Sequence, residues 1–196
     1  MNLANKLTIA RIILTFVFMV FLFSKGLAFK VMALVTFVIA SWTDFLDGFF
    51  AKKRNEISDF GKFMDPIADK ILAIAAFLAF VEMKLIPAWI VVIIVFREFI
   101  ITGLRLIALA KGEVIEAEMA GKHKTVSQMV SIYVILLFII FRESGTSVFK
   151  FWNENLEYTY RQVIFYMMLV TALFTLISGI SYLVKNRRFL RGAKNS

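Results

Sequence analysis

Two stretches decide how this chain reads: Asp44-Phe45-Leu46-Asp47-Gly48-Phe49-Phe50-Ala51-Lys52 and, eight residues later, Gly61-Lys62-Phe63-Met64-Asp65-Pro66-Ile67-Ala68-Asp69. Four carboxylates, Asp44, Asp47, Asp65 and Asp69, sit at or beside the ends of two strongly apolar segments. Charge at membrane depth is costly, so ionisable residues there point to function. Four of one sign repel one another unless something cationic lies between them. On a helix Asp44 and Asp47 are i, i+3 and share a face, which Gly48 and Ala51 continue with almost no side chain. Gly61, Asp65 and Asp69 are i, i+4, i+8, again one face with the small residue first. Pro66 falls early in that second helix, where a missing N–H is best tolerated. A pair of divalent cations between two such faces would neutralise the charge, and the glycines would let a bulky ligand approach the backbone. Taken singly, each Asp also reads as a helix cap or a solvated end, and Asp65 and Asp69 suit a helix N-terminus in any case. All four together, with glycines on the matching faces, point to a cation site.

Composition narrows the chemistry. The 196 residues are 60% hydrophobic with a mean hydropathy of +0.80, against about 45–50% apolar for an ordinary soluble domain. With two prolines and nine glycines, this is the composition of a helical membrane protein, read as one domain over 1–196. The absence of cysteine excludes disulfides, thiolate metal sites and a cysteine nucleophile. His123 is the only histidine, so any metal must be held by oxygen, which suits hard cations such as Mg2+, Mn2+ or Ca2+. The net charge of +9 is carried largely in loops between apolar segments. That pattern fits membrane orientation and anionic substrates rather than nucleic acid. The N-terminus shows no cleavable signal.

The expected fold is an all-α membrane protein with six transmembrane helices, at 7–24, 29–51, 62–83, 86–110, 122–141 and 160–184. A span needs about 20 residues, and only the last segment has a long charge-free run, the 23 residues 162–184. The polar residues of the others collect at particular ends. Lys6 and Arg11 begin the first helix, Asp44 and Asp47 end the second, and Asp65, Asp69 and Lys70 begin the third. Arg97, Glu98 and Arg105 lie in the second half of the fourth; Lys122, His123 and Lys124 begin the fifth. Because helices alternate in direction, these ends share one side, which implies a polar cavity open to one face. Loops on that side carry fourteen basic residues against six opposite. The positive-inside rule therefore puts both termini and the cavity mouth in the cytoplasm of a multi-pass cell-membrane protein. The segment 142–159 is the longest outer connection, with Trp152, Tyr158 and Tyr160 as interfacial anchors.

The pattern Asp-x2-Asp-Gly-x2-Ala-Lys-x8-Gly-x3-Asp-x3-Asp over residues 44–69 closely resembles the signature of the CDP-alcohol phosphotransferases. Lys52 stands where the family has Arg, keeping the charge but losing the planar bidentate fork. The resemblance implies a six-helix fold, a homodimer and a reaction. An acceptor hydroxyl would attack the lipid-side phosphorus of CDP-diacylglycerol, and CMP would leave. It further implies that Asp44, Asp47, Asp65 and Asp69 bind two divalent cations, Mg2+ or Mn2+. Asp69 would also be general base, and Asp44, Gly48, Lys52 and Gly61 would border the CDP moiety.

For the acceptor, Arg97 and Arg105 are eight apart and share a helix face, and Glu98 is placed to pair with one of the basic groups. With Lys122 and Lys124 they make a basic pocket suited to a phosphorylated alcohol; as snorkelling residues they would need no ligand. These segments resemble those of bacterial phosphatidylglycerophosphate synthases, a branch of the family, which implies sn-glycerol 3-phosphate as acceptor. The opening Asn5-x-Leu7-Thr8-x2-Arg11 resembles the same branch, with Ala4 in place of its Pro. Asn5, Thr8 and Arg11 read either as cavity-mouth residues or as a capped first turn. The Asp motif itself leaves other acceptors open: phosphatidylglycerol, serine or inositol phosphate. A divalent-cation transporter is the reading from another class, but no comparable charges mark the outer halves.

Overall fold

The computed structural model describes residues 3–54, 59–110 and 119–187, with side chains described for 9–43, 70–108, 121 and 123–187. These residues form six α-helices: α1 (Leu3–Phe23), α2 (Leu27–Arg54), α3 (Asp59–Glu82), α4 (Ala88–Ala110), α5 (Met119–Ser147) and α6 (Glu154–Lys185). Each expected helix is present. Two helical stretches, His123–Ser147 and Glu154–Lys185, are long and apolar enough to cross a membrane by length and composition; Ile9–Phe23 and Leu27–Thr43 are shorter apolar runs.

Local chemistry sets the turns. Between α1 and α2, Gly26 takes φ 103°, a left-handed conformation that suits glycine. Lys30 then reaches back from α2. Its Nζ donates to the carbonyls of Leu22 at 2.6 Å and Ser24 at 2.8 Å, capping the end of α1. Asn153 caps α6, its side chain accepting from the Leu156 N–H at 2.9 Å. Glu154 and Glu157 add favourable charge in that first turn.

The connection between α5 and α6 departs from expectation. In place of an 18-residue outer segment at 142–159, α5 runs through Ser147 and α6 begins at Glu154, leaving 148–153 between them. Charges end an apolar run but not a helix when they find partners. Here Glu157 accepts from Arg142 Nε at 3.0 Å and Arg161 Nε at 2.7 Å. Trp152 and Tyr160 stack at 5.5 Å and pack on Phe138 and Phe141. Two of the three expected interfacial aromatics thus knit the turn, while Tyr158 is exposed.

The core is aliphatic and aromatic. Phe18, Phe37, Phe77, Phe80, Ile94 and Ile135 are essentially fully buried, so they hold the helices together by close packing. Phe37 packs on Phe18 at 5.4 Å and edge-on to Tyr133 at 5.3 Å. The outside is apolar too: Phe16, Val92, Phe99, Tyr166 and Ile177 are each more than 60% exposed. The helix α3 touches α1, α2, α4 and α5, so the element carrying Asp65, Asp69 and Lys70 is the hub of the packing.

Candidate active site

Asp44, Asp47, Gly48 and Lys52 fall on the second half of α2; Gly61, Asp65 and Asp69 fall on the first half of α3. The two helices pack against each other. Both motif halves are therefore helical, as the spacing requires. The side chains at these positions, with Asn5 and Thr8 on α1 and Lys122 on α5, lie outside the described residues. Among the described residues, no three His, Cys, Asp or Glu side chains converge as a metal site would.

The described part of the site starts at Lys70, the residue after Asp69. A cavity of about 230 Å³ opens between α3, α4 and α5, lined on its polar side by Lys70, Glu98, Lys124, Thr125 and Gln128. Apolar Phe77 and Ile94 close its depth. Glu98 organises the charges. Its side chain is 7% exposed, and its oxygens are held by three cations from three helices. Lys70 Nζ lies 3.1 Å from Oε2, Arg97 Nη1 donates to Oε1 at 3.3 Å, and Lys124 Nζ donates to the same Oε1. Lys70 also donates to Thr102 Oγ1. Among the described residues, three cations thus share one carboxylate, and two of them, Lys70 and Lys124, line the cavity with it. Buried charge is tolerated only when paired and hydrogen-bonded, and the side chain of Lys124 is 6% exposed.

The four expected acceptor-phosphate residues divide. Lys124 lines the cavity. Arg97 and Arg105 share a face of α4, as their spacing requires, and that face meets α6. Arg97 Nη2 donates to Ser178 Oγ at 2.8 Å, while Arg105 Nε donates to Tyr182 OH at 3.3 Å with its guanidinium 5.5 Å above the ring. Gly179 makes room for Arg97: a Cβ there would lie 2.9 Å from Arg97 Cγ. The buried Nε of Arg97 has no hydrogen-bond partner among the described residues. Arg11 is 3% exposed, and Thr15 Oγ1 donates to its carbonyl at 2.9 Å. His123 is exposed at the start of α5.

Sequence reasoning passed over Lys70 as a contributor, and with it the α6 partners. Those partners belong to a polar stripe, Thr171, Thr175, Ser178 and Tyr182, at helical spacing within an apolar run. The stripe binds α5 through Ser131 with Thr171 at 2.8 Å, and Gln128 Nε2 donates to Thr175 Oγ1 at 3.5 Å. Its period was the available signal.

Comparison with known proteins places the chain among relatives. The family model described as CDP-alcohol phosphatidyltransferase matches residues 1–184. The CDP-diacylglycerol–glycerol-3-phosphate 3-phosphatidyltransferase of Bacillus subtilis (strain 168) is 36% identical over 204 residues, covering 97% of this chain and 97% of the relative. The protein of the same name from Rickettsia typhi is 40% identical over 138 residues, 69% of this chain and 76% of the relative. A probable phosphatidylglycerophosphate synthase of Mycobacterium tuberculosis (strain ATCC 25618 / H37Rv) is 40% identical over 139 residues, 69% of this chain and 66% of the relative.

Proposed function

This chain belongs to the CDP-alcohol phosphatidyltransferase family, and on that premise we propose that it transfers a phosphatidyl group from CDP-diacylglycerol to sn-glycerol 3-phosphate. The products are phosphatidylglycerophosphate and CMP. The observation that carries the reading is the similarity to the B. subtilis transferase of that name, which runs over 97% of both chains.

The donor set suits hard divalent cations: four carboxylates on two packed helices, in a chain with no cysteine and one histidine. Asp44, Asp47, Asp65 and Asp69 would hold two, Mg2+ or Mn2+. When bound, such cations steady attacking and leaving oxygens and neutralise the charge on the leaving phosphate. The chain's own residues do the rest. Asp69 accepts the proton of the acceptor hydroxyl. The freed oxygen forms a bond to the lipid-side phosphorus, the bond from that phosphorus to the bridging oxygen breaks, and its electron pair leaves with CMP. Gly48 and Gly61 give the CDP moiety clearance, and Lys52 supplies positive charge to its phosphates. Lys122 and Lys124 supply the basic surroundings of the acceptor, with Arg97 and Arg105 adding positive charge from the α6 side and Asn5, Thr8 and Arg11 at the mouth.

The whole chain serves as one membrane domain of six spans. The shortest helix, α1, has 21 residues, which at about 1.5 Å each gives roughly 31 Å, against a hydrocarbon core of about 30 Å. The exposed Phe, Val and Ile side chains suit a lipid surround and leave apolar faces for a homodimer. The fourteen-to-six division of basic loop residues supports cytoplasmic termini and a cytoplasmic cavity mouth. A panel of labelled acceptors given to the purified protein with CDP-diacylglycerol tests the assignment. sn-Glycerol 3-phosphate should be preferred over phosphatidylglycerol, serine and inositol phosphate. Preference for another acceptor, or metal uptake into proteoliposomes without CMP release, would overturn it.

A further inference from the structure

We propose that Glu98 is a positioning residue, a built-in carboxylate that holds Lys70 and Lys124 over the cavity between α3, α4 and α5 so that they receive the phosphate of the acceptor alcohol. The proposal rests on the acceptor reading above and adds two residues to it, Lys70 and Glu98.

The contacts of Glu98 carry the argument. It stands on α4 and bridges α3 to α5, taking Lys70 on one oxygen and Lys124 with Arg97 on the other. Lys70 and Lys124 line the cavity with it; Arg97 does not. Arg97 is fixed instead on Ser178 and Gly179 of α6, so it anchors the carboxylate from behind. A buried lysine keeps its charge and its orientation only while paired. Without the Glu98 carboxylate, Lys124 would lose that partner, and among the described residues Lys70 would keep Thr102 Oγ1 and a long contact of 3.4 Å to the backbone carbonyl of residue 98.

The charge balance identifies the ligand class. Among the described residues the cavity is faced by two ammonium groups and one carboxylate, with Arg97 behind that carboxylate, so the cluster is net cationic and suits a phosphate monoester, which brings about −1.5 to −2 at neutral pH. A cavity of about 230 Å³ is below the usual size of a drug-sized pocket, which suits a compact phosphorylated alcohol. Lys70 directly follows Asp69 in α3, so the proposed base and a phosphate-binding cation are neighbours in one helix turn. The site would thereby distinguish a phosphorylated alcohol from an unphosphorylated one.

The test uses the full chain in lipid nanodiscs. Glu98→Gln keeps shape and removes charge. It should raise the KM for sn-glycerol 3-phosphate about tenfold or more, with kcat within about threefold and the KM for CDP-diacylglycerol unchanged. Glu98→Asp should fall between. Lys70→Met, at a side chain 28% exposed and with Arg97 and Lys124 still pairing Glu98, should show the same split. Calorimetric titration of sn-glycerol 3-phosphate without CDP-diacylglycerol should show the matching loss of affinity. An acceptor KM that is unchanged or lower in Glu98→Gln overturns the proposal, a lower one showing that Glu98 competes with phosphate. A rise in the KM for CDP-diacylglycerol instead assigns the lysines to the donor's phosphates and equally overturns it. So does a parallel loss of kcat and both KM values in Glu98→Gln and Lys70→Met, which marks a purely structural role. Failure of the wild-type protein to use or bind sn-glycerol 3-phosphate would remove the acceptor reading itself, and is seen before any variant is made.

Discussion

At Asp69 and Lys70, consecutive residues of α3 are assigned opposite tasks, a carboxylate that takes a proton and an ammonium that meets a phosphate. For Asp69→Asn we expect CMP release to fall by roughly 10²–10⁴-fold, the usual contribution of a positioned base, while binding of CDP-diacylglycerol persists; near-normal turnover would strip Asp69 of that role. A second residue-scale prediction concerns Gly179. In Gly179→Ala the new methyl would meet Arg97 Cγ at 2.9 Å. Overpacking of this kind costs about 1–3 kcal/mol, so thermal unfolding in detergent should shift down by several degrees. That both halves of the Asp motif are helical was legible because the order resides in local spacing: i, i+3 on one helix and i, i+4 on the next. The common face of Arg97 and Arg105 was legible for the same reason. What that face meets was not, because Ser178 and Tyr182 lie 81 and 77 residues away in the chain.

At the scale of elements, all six helices follow from hydropathy and charge placement, and the departures come where a charge found a partner. The run ending before Arg142 reads as the end of α5, yet Glu157 draws Arg142 and Arg161 together and receives the Trp152 indole N–H at 3.0 Å. The helices can thus continue to a six-residue link at 148–153. Lys30 is a parallel case: a cation near the start of an apolar helix, it serves as the cap of α1. Exposed ion pairs contribute about 0–1 kcal/mol each. Glu157→Gln, which removes two such pairs, should therefore lower stability by at most about 2 kcal/mol, read from thermal unfolding, and leave CMP release unchanged. A loss of activity without loss of stability would show that the outer turn communicates with the site.

For the whole molecule, apolar surface, length and basic-loop asymmetry are the grounds on which six spans with the charged half toward the cytoplasm are proposed. The absence of cysteine makes this directly testable. A single cysteine placed by Lys150→Cys should react with an impermeant maleimide on intact spheroplasts, and one placed by Arg187→Cys only after the membrane is opened; the reverse pattern would invert the topology. The overall architecture was legible because it repeats one rule in every segment. The assembly of the phosphate-facing cluster was not, since it requires Lys70, Glu98 and Lys124 to converge from three helices. The most direct test of the central claim is stoichiometry. Purified protein given CDP-diacylglycerol, sn-glycerol 3-phosphate and Mg2+ should form CMP and phosphatidylglycerophosphate in a one-to-one ratio, with neither formed when the acceptor or the divalent cation is withheld. CMP release without the lipid product, or no CMP at all under these conditions, would contradict the account.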